Sequence, residues 1–167
     1  MIRPATAKEV REVIIPMLVE LQPQTIYRGR SQVDEDYAFK ALVHFVQYHG
    51  RLKDGGKCLF VYEHDGEIVG FIAGLLSRVY NIGDKLVASD MFLHCIESAP
   101  VMAWVKLINA YMQWADSSPD VIDITLSHTE AMPGSIRLEP AFERMGFREF
   151  GKTYVKQVDK IQLKEAA

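Results

Sequence analysis

Two apolar runs, Cys58-Leu59-Phe60-Val61-Tyr62 and Ile68-Val69-Gly70-Phe71-Ile72-Ala73-Gly74-Leu75-Leu76, stand on either side of His64-Asp65-Gly66-Glu67. Asp-Gly between apolar runs is a strong hairpin signal, because Asp and Gly tolerate the left-handed backbone that a two-residue turn demands. The spacing therefore predicts Cys58 to Glu63 antiparallel to Glu67 to Leu76. Gly70 and Gly74 fall on one face of the second strand, where a missing side chain lets another backbone or a ligand come close, or marks a bulge.

The segments around this hairpin read as a β-rich α/β chain. Ile2 to Ala5 predicts a short strand, and Thr6 an N-cap for a helix carrying Val10, Val13, Ile14, Met17, Leu18 and Leu21, kinked or cut by Pro16. Gln22 to Gln32 reads as an exposed loop, and a second helix starts near Asp34 and closes near Gly50. Leu86 to Ile96 predicts a third strand next to the hairpin, followed by a mostly apolar helix from Val101 to Ala115 with Pro100 in its first turn. Val121 to Leu126 predicts a strand and Pro140 to Met145 a short helix stopped by Gly146. Phe147 to Val158 predicts a final strand or hairpin.

A chain of 167 residues, 49% hydrophobic and 25% charged, is the size of one domain with one core. The expectation is a single domain over 1–158 and a polar tail over 159–167. A net charge of −3 lacks the positive excess that nucleic-acid binding requires. No apolar run reaches the roughly 18 residues of a membrane span, and the first residues lack the pattern of a signal peptide, so the expected location is the cytoplasm. Cys58 and Cys95 lie inside apolar strand-like runs, which predicts buried, reduced thiols, and the five histidines show no metal-ligand spacing.

Three local matches give the order of elements a more specific meaning: Ile2-Arg3-Pro4-Ala5-Thr6, Asp65-Gly66-Glu67-Ile68-Val69-Gly70-Phe71, and Phe142-Glu143-Arg144-Met145-Gly146-Phe147-Arg148. With them the chain resembles the GNAT acyltransferase superfamily over almost its whole length. The resemblance implies an α/β (α+β) fold with a mixed, mostly antiparallel central sheet, helices on both faces, and acetyl-CoA held where the sheet splays. Thr153-Tyr154-Val155-Lys156 and Met91-Phe92-Leu93 after an acidic residue resemble members often encoded by bacteriophages, for which the location would be the host cytoplasm.

In that family a Q/R-x-x-G-x-G/A segment cradles the CoA pyrophosphate on bare backbone amides at a helix N-terminus. The matching segment here is Ser98-Ala99-Pro100-Val101-Met102-Ala103. Ser98 stands for the Gln or Arg, Val101 for the first glycine, Pro100 has no N–H, and Ala103 alone fits. Two readings stay open: a degenerate phosphate loop, or a plain helix start. The resemblance also implies cofactor contacts from Leu93 and Cys95 on the central strand, from Ser135 near the pantetheine arm, and from Phe142.

Acyl transfer from a thioester to an amine needs a base for the amine and an acid for the thiolate. Asp90 is the candidate base, with the hydrogen-bonded structural acid as the other reading, and His94 an even number of residues on would share its face of a regular strand. Phe142 occupies the family's tyrosine position and cannot donate a proton, which leaves Tyr154 and Tyr111 as stand-ins, with a core tyrosine of satisfied hydroxyl as the other and favoured reading of each. The implied activity is acetyl transfer to a primary amine of a small molecule or protein. The competing reading is a GNAT fold that has lost catalysis and modulates a protein partner, such as a host enzyme; whether the chain forms a homodimer stays open.

Overall fold

A computed structural model describes residues 1–127 and 139–156. They fall into two compact units, Met1–Met17 with Asp34–Ser127, and Leu18–Val33 with the described residues beyond 138.

The first unit is built on a five-stranded sheet in the order β1 (Ile2–Pro4), β2 (Lys57–His64), β3 (Glu67–Arg78), β4 (Leu86–Cys95) and β5 (Val121–Thr125). The first three pairings are antiparallel and β4–β5 is parallel. The predicted hairpin is present: Asp65 and Gly66 both have positive φ, 51° and 84°, the signature of a type I′ turn. This is the mixed, mostly antiparallel sheet that the resemblance implies.

Helices cover both faces of that sheet. Side chains opposite one another on paired strands share a face, so Cys58, Gly74 and Asp90 lie on one side and Lys57, Leu59 and Val61 on the other. On the first side lies α4 (Ala103–Asp116), whose Tyr111 ring sits where a Cβ on Gly74 would come within 2.5 Å of it. A Cβ on Gly70 would meet the Cys95 Sγ at 2.6 Å. The close approach predicted for these two glycines is thus made by a tyrosine ring and a thiol from within the fold. On the other side lies α3 (Glu35–Gln47), with the Lys57 ammonium 5.6 Å from the centre of the Phe45 ring. Asp34 caps α3, its carboxylate accepting the Tyr37 N–H at 2.9 Å.

Thr6 caps the first helix as predicted and forms a full capping box with Glu9. α1 (Ala7–Glu9) passes through a π-helical turn, Val10–Ile14, into α2 (Ile15–Leu21). Proline has no N–H and crowds the carbonyl four residues back, so the helix widens by one residue just before Pro16, where the Ile15 N–H reaches the Val10 carbonyl. The helix is neither cut nor ended there.

The second unit holds a loop closed on itself, in which Gln22 Nε2 donates to the Tyr27 carbonyl at 3.2 Å, and α5 (Glu139–Arg144). Its Phe142 and Phe147 rings lie 6.1 Å apart. Residues 147–156 contain no strand, which corrects the predicted closing strand or hairpin as far as the described residues go. Phe150, Tyr154 and Val155 are exposed, so no apolar burial supports pairing. No helix among the described residues is long and apolar enough to cross a membrane.

Two measurements check this account. Gly74→Ala should lower stability in urea by about 2 kcal/mol, because the added methyl has to displace a buried ring; an unchanged midpoint would mean that α4 does not lie so close. Glu9 accepts from Arg3 Nη2 at 2.6 Å, and that bond, opposed by burial and assisted by Thr6, holds its carboxyl at about 2, below the ordinary 4.5. A lowered folded value stabilises above the unfolded pKa, so this contribution should be full above pH 4.5 and fade as pH falls to about 2. Glu9→Gln should cost about 1 kcal/mol at neutral pH and flatten the stability curve in that window.

Candidate functional site

The sheet parts between β4 and β5. Their parallel register runs from Leu86↔Val121 to Ser89↔Thr125 and stops, while β4 continues to Cys95 bonded to β3 alone among the described residues. Within β4, Phe92 pairs with Ala73 but Asp90 with Gly74, leaving Met91 as the extra residue of a β-bulge. The Ile96 N–H donates to the Val69 carbonyl at 3.0 Å, so the pairs His94↔Phe71 and Phe92↔Ala73 are also of the hydrogen-bonded kind. By alternation, the N–H and C=O groups of Leu93 and Cys95 turn to the opposite edge, toward the open fork.

The bulge changes which side chains share a face. Asp90, Leu93 and Cys95 lie on the α4 side, whereas Phe92 and His94 lie on the α3 side, with the His94 ring 6.1 Å from that of Phe71. The expectation that Asp90 and His94 share a face is therefore corrected, since one inserted residue reverses the alternation between them.

Asp90 sits at the point of divergence. Its Oδ1 accepts the Ser127 N–H at 2.7 Å, two residues past the last paired residue of β5. Burial raises its pKa, while the Ser127 N–H and hydroxyl pull it back. Around it, the Tyr111 hydroxyl donates to the Thr125 carbonyl at 3.0 Å, and the Thr125 hydroxyl reaches the Ala88 carbonyl and the Ser89 hydroxyl, each at 3.2 Å. Tyr111 is fully buried, and burial above all, with Asp90 and Cys58 close by, pushes its phenol far up. Tyr111 is thus a core residue with a committed hydroxyl. Ser127, Thr125 and Ser89 belong to the site although no spacing in the sequence singles them out.

After β4 the chain turns at Ile96–Ala99, where the Ala99 N–H donates to the Ile96 carbonyl at 3.0 Å, and again where the Ala103 N–H donates to the Pro100 carbonyl at 2.8 Å. α4 accordingly starts at Ala103 and not at the predicted Val101. Among the described residues, the N–H groups of Ser98, Val101, Met102, Trp104 and Val105 go to no backbone carbonyl outside the helix ladder. Met102 gives the helix no side-chain cap and the first turn holds no acid, which leaves the positive end of the helix dipole open to an anion. Val101 is 90% exposed.

Of the remaining candidates, Tyr154 and Phe142 belong to the second unit, Tyr154 being 90% exposed and Phe142 buried, and Ser135 lies outside the described residues. Cys58 and Cys95 are buried free thiols, as predicted, and burial pushes Cys95 up to about 12. At pH 8 iodoacetamide should leave the native protein unlabelled while adding two groups to the unfolded chain; rapid single labelling of the native protein would place Cys95 at the surface.

No family model and no curated protein matches the sequence. Solved structures match along nearly the full length. A possible acetyltransferase from Clostridium difficile 630 is 14% identical with a TM-score of 0.67, covering 95% of this chain and 97% of that one. Glucosamine-6-phosphate N-acetyltransferase from Arabidopsis thaliana is 13% identical with a TM-score of 0.67, covering 95% and 98%. A ribosomal-protein-alanine N-acetyltransferase from Brucella melitensis biovar Abortus 2308 is 16% identical with a TM-score of 0.65, again over 95% and 98%. With a mixed sheet that parts between β4 and β5 and these neighbours, the chain has the fold of the GNAT acetyltransferases.

Proposed function

We propose that this chain is an acetyl-CoA-dependent N-acetyltransferase acting on a primary amine of a small molecule or protein. The observation that carries the reading is the fork: β4 runs on past its last pairing with β5 at Ser89 and turns the polar backbone of Leu93 and Cys95 outward. Those groups offer alternating donors and acceptors to an extended, amide-bearing arm such as pantetheine. At its far end, the free amides of Ser98, Val101 and Met102 and the uncapped start of α4 fit a pyrophosphate.

Bound there, acetyl-CoA supplies the thioester carbon that an amine attacks. The chain's own contribution is to hold that thioester at the end of β4 and exclude water along a wall made by Leu93 and Cys95, so that proximity lowers the barrier. A tyrosine acid at the position of Phe142 has no place in this scheme.

One observation favours the competing reading, a fold of this kind that binds another protein without catalysis. Pro100 has no N–H, and Ala99 and Ala103 spend theirs inside the loop, so three of the six residues matched to the phosphate segment bring no free donor.

Thermal unfolding in acetyl-CoA separates the two. A ligand at one hundred times its Kd adds about 2.7 kcal/mol. Millimolar acetyl-CoA should raise the melting temperature by several degrees if Kd is on the order of 10 μM. A panel of primary amines, read by mass spectrometry, should then show acetyl transfer. No shift together with no transfer would retire the acetyltransferase reading in favour of the binding protein.

A further inference from the structure

The end of β5 is held by side chains where backbone pairing gives out. At and beyond the Ser89↔Thr125 pair, the Ser127 N–H donates to the Asp90 carboxylate at 2.7 Å, the Tyr111 hydroxyl to the Thr125 carbonyl at 3.0 Å, and the Thr125 hydroxyl to the Ala88 carbonyl at 3.2 Å. These bonds tie β4 and α4 to two residues at the end of β5, Thr125 and Ser127. We propose that they form a clasp that fixes where β4 and β5 part, and that Asp90 is a positioning residue of this fork, acting as a hydrogen-bond acceptor and not as a proton carrier.

Three observations support the assignment. Asp90 is paired with Gly74 and followed by the bulge at Met91, so its side chain leaves β4 at the last point from which it can still meet β5. Among the described residues, its surroundings supply hydrogen bonds from Ser127 and from its own backbone N–H and no countercharge. It also shares the α4 side of the sheet with Tyr111, whose hydroxyl is committed to Thr125 at the same end of β5. An acceptor oxygen is all that such a clasp requires, and an asparagine amide retains one. A general base requires a group that takes up a proton, which an amide does not.

The measurement is amide hydrogen exchange at Ser127 in the protein without ligand, so it does not depend on the function proposed above. Asp90→Asn should exchange within about threefold of the parent, whereas Asp90→Ala should exchange about tenfold faster or more, the loss of one bond to a charged acceptor. Tyr111→Phe, which keeps the ring over Gly74, should speed Ser127 by a few fold. Should Asp90→Ala not fold, Asp90→Asn and Tyr111→Phe carry the test. Unchanged exchange in the alanine and phenylalanine variants, or an asparagine variant as fast as alanine or fast by itself, overturns the clasp. The consequence for catalysis does rest on acetyl transfer: with an amine that the parent acetylates, Asp90→Asn should keep kcat and its pH profile within about threefold, while Asp90→Ala raises KM for acetyl-CoA. A fall in kcat of about a hundredfold or more in Asp90→Asn alone would make Asp90 the base and overturn the assignment.

Discussion

The bare backbone at Gly74 lets the ring of Tyr111 lie directly on β3, and much of the site follows from that contact. Because Gly74 pairs with Cys58 on one side and Asp90 on the other, three titratable groups gather around one missing side chain. Burial moves all three the same way, toward their uncharged forms. The tyrosine hydroxyl is satisfied by the Thr125 carbonyl, which brings the end of β5 under the control of α4. A larger residue at 74 would lift the helix, and with it the donor that holds β5.

The fork itself is a matter of backbone accounting. An interior strand uses its N–H and C=O groups on both edges, and one that loses a neighbour has to place the freed groups elsewhere. β4 loses β5 after Ser89, and the bulge at Met91 falls just there, altering twist and direction where the strands must part. Among the described residues no strand pairs with the Leu93 and Cys95 groups on that edge, and on the proposed function a ligand that behaves as a short strand takes them.

Most of the sheet was legible because it rests on local chemistry. Asp65-Gly66 has few alternatives to a tight turn, and the apolar runs beside it have few alternatives to paired strands. Thr6 with Glu9 and Asp34 likewise announce helix starts through bonds made within a few residues. The bulge was not legible, since Met91 is neither glycine nor proline and the irregularity answers to a partner 17 residues away at Gly74. That one residue separated His94 from Asp90. The closing strand failed for a related reason: burial decides whether apolar residues form a strand, and Phe150, Tyr154 and Val155 are exposed.

The departure of the loop from the family pattern is best weighed by what each glycine would contribute. Glycine at a phosphate loop gives access to a donor that every residue but proline already has. Val101 retains its N–H and turns its side chain to solvent, so its substitution removes access more than donation. Pro100 is the absolute loss, and the turn bonds of Ala99 and Ala103 divert two further donors unless a phosphate reopens them. A hydrogen bond to a charged acceptor contributes roughly 1.5–3 kcal/mol, so the loss of even two of these three donors weakens a phosphate contact by on the order of a hundredfold or more. Set against that, the uncapped start of α4 and its acid-free first turn supply roughly 1 kcal/mol of favourable field. On the proposed function, this balance is that of a pyrophosphate site impaired but not abolished, in which the strand edge at Leu93 and Cys95 has to supply more of the binding than a glycine-rich loop would require of it.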